Sequence, residues 1–170
     1  IKKIIWKVKI KKKLMSKKYT LNNIVNEDSI YLIGINSSLD SYKLVFKINK
    51  ELNLNFVRSK KDIDLPKEKA YYSHFVAKNN SEEILYDFFS NKFQKIIFPN
   101  KFSGPNLFNS PFSKEVYLLK EYKNADYFIK SSDQKDHYEI INNIRKIPEI
   151  SIIYNLNSNE IKNKENLIFY

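Results

Sequence analysis

The sequence predicts an α+β fold: a ferredoxin-like arrangement with a mostly antiparallel sheet and two helices on one face. Two β-α-β units carry this prediction. In the first unit, the apolar runs of 29–35 ("SIYLIGI") and 53–59 ("NLNFVRS") are typical of strands. In the second, "ADYFIKS" (125–131) and "ISIIYNL" (150–156) have the same character. Such units lay their helices against a common sheet, and the segments between them predict inserted β-hairpins.

The first predicted helix spans residues 38–51, with Ser37 or Ser38 placed to cap its N-terminus. Helical spacing divides it into a charged face and an apolar face. The charged face holds Asp40, Lys43, Lys47 and Lys50, and the apolar face holds Leu39, Tyr42, Val45, Phe46 and Leu52. We therefore expect the helix to cover the sheet with its aromatic side.

The second predicted helix spans residues 134–146 and follows "SSD", where Asp133 is best placed as a cap. Pro148 ends it, because proline cannot continue a helix. The apolar face is predicted to hold His137, Ile140, Ile141, Ile144 and Ile147.

The middle of the chain is less regular. Residues 71–78 predict a strand that turns at "NNS" into 83–90, whose apolar spacing fits either a strand or a helix. The Pro, Gly, Asn and Ser content of 99–114 indicates a loop. Residues 115–120 are predicted to pair with 125–131 across "EYKNA", and the terminal "NLIFY" is predicted to form an edge strand.

Composition limits the possible functions. The length of 170 residues and the 42% of hydrophobic residues suit one globular domain, which we place at 15–170. Because the chain has no cysteine, disulfides, thiolate catalysis and cysteine-ligated metals are excluded. A reducing, cytoplasmic location fits this composition. No apolar run is long enough to predict a transmembrane helix.

Much of the positive charge lies at the N-terminus. Of the 30 basic residues, seven are in residues 1–14, so the remainder holds 23 basic and 19 acidic residues and a net charge of +4. "MSKKYTL" from Met15 reads like a natural start, and we interpret residues 1–14 as a basic extension upstream of it. As part of the protein, this extension could contact RNA or an acidic membrane surface.

The stretch "LKEYKNADY" contains Glu121, Asp126 and Tyr127 at the spacing of a known signature. Over most of residues 18–169 the chain resembles the IPExxxVDY family of small uncharacterised bacterial proteins. The main departure is Lys120, which stands where the signature has proline. The resemblance implies no known activity.

Residues 121–156 are also similar to the ligand-sensing half of leucine-responsive regulators, in which a Tyr-Asp strand leads to a helix, a Pro-Gly-Val turn and a returning strand. Here Lys123 replaces the usual glycine, Glu149 follows Pro148, and no helix-turn-helix pattern precedes the segment. The resemblance implies a shared fold and a homodimer formed by sheet pairing, and it does not imply transcriptional control.

The titratable residues favour structural roles over catalysis. A catalytic pair of Glu121 and Asp126 would need one desolvated carboxyl group, whereas a lysine-rich surface turn predicts that both are solvated. We expect Asp126 to bind turn amides and Tyr127 to pack under the hairpin. His74 and His137 are interpreted as half-buried residues satisfied by neighbours. The sequence contains no metal-ligand spacing, so we predict no metal and no cofactor.

Two binding candidates remain. "GINSS" and "KSSD" follow predicted strands at the helix N-termini, whose free amides could hold an anion. The side chains placed at these two sites are Ser37, Ser38, Lys130 and Ser132. The loop 99–114 carries aromatic residues that predict either a partner patch or a lid folded back on the sheet. These residues are Phe102, Phe108 and Phe112.

From these observations we expect a cytoplasmic, non-enzymatic module that binds a protein partner or a small ligand. The alternative is an RNA- or ribosome-associated protein. Its contacts would come from the lysines between Lys2 and Lys18 and from Lys43, Lys47 and Lys50. Only two arginines accompany 28 lysines, and no RRM-type aromatic signature is present, which favours the first interpretation.

Overall fold

The computed structural model describes residues 30–78, 83–98, 110–131, 134–156, 161–162 and 164–169. In these residues the strands are β1 Tyr31–Ser37, β2 Val57–Arg58, β3 Ile63–Leu65, β4 Ala70–Tyr72, β5 His74–Lys78, β6 Ile84–Ser90, β7 Lys92–Ile97, β8 Phe112–Tyr117, β9 Tyr127–Ser131 and β10 Ile150–Leu156. The helices are α1 Ser41–Leu52 and α2 Gln134–Ile144, with 3-10 turns at Lys120–Tyr122 and Lys164–Leu167.

A six-stranded sheet with the order β10-β1-β9-β6-β5-β2 forms the centre of the fold. Every pairing within it is antiparallel, as are the two separate pairs β3-β4 and β7-β8. Two antiparallel steps separate β9 from β10 and four separate β1 from β2, so each helix connects parallel strands. The predicted α+β class, with two helices and a mostly antiparallel sheet, is confirmed.

The buried stripe of α1 is narrower than the sequence predicted. Leu44, Val45 and Ile48 are buried, whereas Tyr42 and Phe46 are 61% and 71% exposed. On an α-helix these two aromatic residues lie roughly 100° or more from the centre of the aliphatic stripe. The expectation that Tyr42 and Phe46 cover the sheet is therefore wrong, and α1 turns its aromatic side to solvent.

The end of α1 is fixed by two asparagines. Asn53 adopts a left-handed conformation with a φ of 50°, which closes the helix in the usual C-terminal manner. Asn49 then holds the following chain through both of its side-chain groups: Oδ1 accepts the Phe56 amide at 2.8 Å, and Nδ2 donates to the Phe56 carbonyl at 3.1 Å. Phe56 is thereby directed into the core, where it is 4% exposed.

Hydrophobic residues cover both faces of the central strands. Adjacent residues of β6 illustrate this, because Phe88 packs under the helices, Phe89 packs on the opposite face, and both are 0% exposed. The same alternation places Ile33 and Ile129 toward the helices and Leu32 and Phe128 away from them. Strands buried on both faces are continuous apolar runs, as "SIYLIGI" is.

Three predicted elements differ from the structure. Residues 115–120 do not pair with β9; β8 pairs with β7, and β9 lies between β1 and β6. Because β9 is apolar on both faces, pairing inside the central sheet buries more of it than a peripheral hairpin would. The terminal edge strand is instead the 3-10 turn Lys164–Leu167, and the strand predicted at 53–59 is reduced to Val57–Arg58. The segment left open as helix or strand is strand β6.

Candidate functional site

The signature segment is shaped by Asn91, a fully buried residue between β6 and β7. Its Oδ1 accepts the Leu119 amide at 2.8 Å, and its Nδ2 donates to the carbonyls of Tyr122 at 2.9 Å and Ala125 at 3.0 Å. One side chain thus satisfies three backbone groups around the 3-10 turn. Sequence reasoning missed this role, because asparagine in a short connection is ordinarily interpreted as a turn residue.

Asp126 joins three strands. Its Oδ2 accepts the Ser37 amide at 2.9 Å, its Oδ1 lies 2.5 Å from Lys92 Nζ, and its own amide donates to the Ile35 carbonyl at 2.8 Å. The hydrogen bond to Asp126 raises the pKa of Lys92. Asp126 therefore fixes the end of β1 and the start of β7 relative to β9, and its carboxylate is fully engaged.

Tyr127 anchors the loop before α1. Its hydroxyl donates to the Leu39 carbonyl at 2.6 Å, and its ring stacks on Phe88 with centroids 5.3 Å apart. Burial, and then the negative charges of Asp126 and Asp40, raise the pKa of Tyr127 to about 12. The ring packs beneath α1 in the main core and not under a hairpin.

Glu121 contacts a different part of the chain. Its Oε1 accepts the Lys162 amide at 2.8 Å, while its Oε2 is buried without a hydrogen-bond partner among the described residues. Glu121 and Asp126 share no contact in the described part of the chain. The three signature residues therefore bond two different parts of the chain. Asp126 and Tyr127 bond the connection from β1 to α1, and Glu121 bonds the C-terminal segment.

At the predicted anion site of Ser37 and Ser38, the hydrogen-bonding groups of Ser37 already have partners within the protein. Ser37 Oγ donates to the Glu149 carbonyl at 2.8 Å and accepts the Leu39 amide at 3.3 Å, and its own amide is bound by Asp126. Neither serine caps α1, which begins after Asp40 without a side-chain capping hydrogen bond. Ser38 is exposed.

Lys130 does not serve the N-terminus of α2. Its Nζ lies 3.2 Å from Asp87 Oδ2 and donates to the Leu167 carbonyl at 3.0 Å, on the sheet face opposite the helices. Ser132, the other residue predicted there, lies outside the described residues. The structure therefore gives Lys130 a different role from the one the sequence predicted.

The predicted aromatic patch falls largely outside the described residues, which do not include Phe102 and Phe108. Phe112 is 54% exposed at the start of β8, where it pairs with Ile97. Phe98, which sequence reasoning did not single out, is 71% exposed just after β7. The described end of the β7-β8 pair is thus apolar and exposed.

The aromatic side of α1 forms an apolar groove. Tyr42 and Phe46 stand one turn apart on the exposed side of the helix, and with Leu39, Lys43 and Lys47 they line a groove of about 450 Å³. The two rings are neighbours on the helix surface and form one exposed apolar patch. The sequence contains a signal for this groove. If the aliphatic residues of α1 face the sheet, helical spacing places both aromatic rings on the side facing away from it.

Ion pairs border this groove. Lys43 Nζ lies 3.1 Å from Asp40 Oδ2, which raises the pKa of Lys43. Lys47 Nζ lies 2.8 Å from Glu149 Oε1, and this hydrogen bond lowers the pKa of Glu149. Lys50 is exposed, and no residue that the structure describes bonds its ammonium group. The three lysines lie on the exposed side as predicted, and the lysines at Lys2–Lys18 lie outside the described residues.

A buried polar cluster lies on the opposite face of the sheet. His74 and Asp87 are each 6% exposed, and His74 Nε2 lies 2.8 Å from Asp87 Oδ1. Lys130 completes the cluster at the second carboxylate oxygen of Asp87. His74 was predicted to be satisfied by a neighbour, and that neighbour is a carboxylate in the next strand. The link to Asp87 depends on the pairing of β5 with β6, which no local pattern reveals.

The two histidines do not share a site. His74 bonds Asp87 away from the helices, whereas His137, on α2, bonds Asn155 Oδ1 at 2.7 Å on the helix side. Within the described ranges, no three His, Asp or Glu side chains are grouped so that they could hold a metal ion. Among those same residues, no helix has the length and apolarity needed to cross a membrane.

Comparison with known proteins adds no assignment: no protein-family model matches the chain, and neither a curated protein nor a solved structure matches it.

Proposed function

We propose that the protein is a non-enzymatic, cytoplasmic binding module that engages a protein partner through the α1 groove. The groove, with Tyr42 and Phe46 61% and 71% exposed, is the observation that carries the proposal. Exposed aromatic anchors that fill a partner's pockets contribute much of the affinity of protein interfaces. Lys43 and Lys47 at the border of the groove are already paired with Asp40 and Glu149, so the expected partner segment is one whose main contact is an apolar anchor.

A ferredoxin-like scaffold is part of this proposal. The order β10-β1-β9-β6 and the two parallel crossovers through α1 and α2 support it. β5 and β2 extend this arrangement at one edge. The groove then lies on the helix layer, on the side of the sheet away from the strand pairs β3-β4 and β7-β8.

The test uses two exposed aromatic residues on the two helices. Phe46→Ala removes a groove ring, and Tyr138→Ala removes a ring that is 55% exposed on α2. We expect proteins that co-purify with the wild type to be lost with Phe46→Ala and retained with Tyr138→Ala, as measured by quantitative mass spectrometry. Equal recovery with both variants would contradict a role for the groove.

RNA is the second candidate. Lys50, which has no partner among the described residues, stands beside the two exposed aromatic rings that could stack on bases. Lys43 and Lys47 are paired with carboxylates, which reduces the charge available to phosphates. RNA binding would fall steeply as salt rises, and co-purification would be lost after ribonuclease treatment, whereas protein binding would survive both.

A homodimer is supported by the β10 edge. β10 pairs with β1 on one side and with no described strand on the other, and its sequence "ISIIYNL" carries no charge. Edges of this kind pair with other strands unless they are covered. Ile152, which is 49% exposed, is the residue to change. Ile152→Lys should convert a dimer to a monomer in light scattering, and an unchanged mass would remove this interface.

A further inference from the structure

The C-terminal segment, residues 164–169, lies on the sheet face opposite the helices, directly over the buried cluster of His74, Asp87 and Lys130. Leu167 is 0% exposed, and its carbonyl accepts a hydrogen bond from Lys130 Nζ at 3.0 Å. The cluster therefore bonds the backbone carbonyl of Leu167, and the apolar side chain of the same residue is buried beside it.

The aromatic ring of Phe169 completes the contact. Its centroid lies 4.8 Å from the ring of His74 and 5.0 Å from that of Phe89, the latter in an edge-to-face arrangement. Lys130 Nζ lies 4.8 Å from the same centroid, within cation-π distance. Within three consecutive residues the segment thus presents a leucine side chain, a carbonyl and an aromatic ring, and Lys130 contacts both the carbonyl and the ring.

The receiving surface has the chemistry of a recognition site. Burying Asp87 and His74 costs desolvation free energy, and apolar residues would close this face at lower cost, as they do under the helices. A cleft of about 180 Å³ stays open beside the segment, lined by Ile63, Asp64, His74 and Phe169 among others. If the C-terminal segment served only to fill the core, neither the charged cluster beneath it nor the open cleft beside it would be needed.

We propose that the surface formed by His74, Asp87, Lys130 and the adjoining cleft is a peptide-binding site. In this structure the chain's own residues 164–169 occupy it. Its ligand is a partner segment with the same chemistry: a leucine-like side chain with an accepting carbonyl, followed two residues later by an aromatic ring. The partner segment and the chain's own segment compete for one site. This peptide-binding site lies on the opposite side of the sheet from α1, so the proposal does not depend on the function proposed above.

The probe is a fluorescent peptide with the sequence of residues 164–169, KENLIF, titrated into full-length protein. In the wild type, the tethered segment competes at a high effective concentration and keeps the apparent affinity low. Phe169→Ala weakens the tethered segment, and we expect the peptide to bind on the order of tenfold more tightly. Adding Lys130→Met to that variant should reverse the gain, because the ammonium group that donates to the Leu167 carbonyl is lost.

Two controls make the result specific. Glu165→Gln changes an exposed residue of the same segment and should match the wild type. A peptide with alanine at the phenylalanine position should bind Phe169→Ala at least tenfold more weakly than KENLIF. If the wild type instead forms a dimer that Phe169→Ala abolishes, the ligand is the C-terminal segment of a second copy, which has the same chemistry.

Hydrogen exchange of the wild type gives an independent test. An exchangeable segment opens without global unfolding, so the Leu167 amide should exchange at least a hundredfold faster than the Phe128 amide. Equal protection of the two amides would overturn the proposal, because the segment would then be an inseparable part of the core. Absence of tighter peptide binding in Phe169→Ala, or failure of that variant to fold, would overturn it as well.

Discussion

The two faces of the central sheet are covered by different means. The helix face is closed by α1 and α2 with a largely apolar core, whose buried polar residues are His137, Ser131 and Ser37. The opposite face is closed by the strand pairs β3-β4 and β7-β8, a 3-10 turn and the C-terminal segment, and it encloses His74, Asp87 and Asn91. Helices satisfy their own backbone groups, whereas irregular segments must find partners elsewhere. Among the buried polar side chains, the carboxylate of Asp87 and the amide of Asn91, which bonds three backbone groups, both lie on the second face.

This difference implies different stabilities. Helical cover is cooperative, since one amphipathic element brings a full stripe of side chains to the sheet. The cover of the opposite face consists of short pieces, each held by a few contacts such as those of Asn91 and Lys130. We expect the second face to open in parts, and it is the face with room for exchangeable contacts.

The largest effect should come from neighbouring core residues on the two faces. Phe88→Ala and Phe89→Ala each remove a ring that is 0% exposed, and each should lower the free energy of unfolding by about 3–5 kcal/mol. Chemical denaturation measures the loss. Phe89→Ala should also speed hydrogen exchange at Leu167, because Phe89 contacts Phe169, whereas Phe88→Ala should not. Matching exchange in the two variants would show that the faces are not independent.

Asn91→Leu should have the next largest effect. It removes the partners of one amide and two carbonyls around the 3-10 turn, and each buried group left unpaired costs about 1–3 kcal/mol. We expect a loss of about 3 kcal/mol in denaturant unfolding. Asn124→Leu is the matched control, because Asn124 is exposed in the same turn, and it should stay within about 0.5 kcal/mol of the wild type. Similar losses of unfolding free energy in both variants would contradict the role of the Asn91 hydrogen bonds in holding the turn.

A smaller loss is expected for Asp87→Asn. The amide keeps the shape of the side chain but removes the charge that faces His74 and Lys130. We expect a loss of about 2 kcal/mol, below the roughly 3–5 kcal/mol typical of broken buried pairs, because Lys130 is partly exposed. Asp64→Asn, on the rim of the nearby cleft, changes an exposed carboxylate and should have little effect. A stability unchanged by Asp87→Asn would mean that the cluster costs as much as it contributes.

The sequence predicted the helix face much better than the opposite one. The strands β1 and β10 and both helices could be identified because their apolar residues follow a regular period. The exposed aromatic rings of α1 were misassigned, since Tyr42 and Phe46 fit a broad helical face almost as well as Leu44 and Val45 do. Hydrophobicity alone does not separate an aromatic residue that packs on the sheet from one that faces solvent.

The opposite face depends on contacts between residues far apart in the chain. Asn91 binds residues 119–125, and Asp87 meets His74 and Lys130 only because β6 lies between β5 and β9. No local period encodes these pairings, so the predicted hairpin of 115–131 was wrong. A structural role for Glu121, Asp126 and Tyr127 stays a prediction, and the contacts they make with Lys162, Ser37 and Leu39 could not be predicted from the sequence.

Tyr127→Phe should show a modest, pH-dependent effect on the helix face. At neutral pH the loss of the hydrogen bond to the Leu39 carbonyl should cost about 1 kcal/mol. In the folded protein the pKa of Tyr127 is about 12, above its usual value of 10.0, so between pH 10 and 12 the unfolded chain loses a proton that the folded chain keeps. Stability therefore falls as pH rises through this window. The fall should be shallower in Tyr127→Phe, with Tyr72, whose pKa is also raised to about 12, accounting for part of what remains.

The smallest effect tests the rim of the α1 groove. The hydrogen bond from Lys47 lowers the pKa of Glu149 below its ordinary value of 4.5, so this pair stabilises the fold above that pH and the contribution is lost as pH falls through the folded pKa. Lys47→Gln should return the pKa of Glu149 toward 4.5 in an NMR titration. Lys50→Gln, which changes an exposed lysine of the same helix, should leave it low. If both variants leave the titration of Glu149 unchanged, Lys47 is not paired with Glu149. The charge of Lys47 would then be available to a partner in the α1 groove, which would strengthen the case for an acidic or phosphate-bearing ligand there.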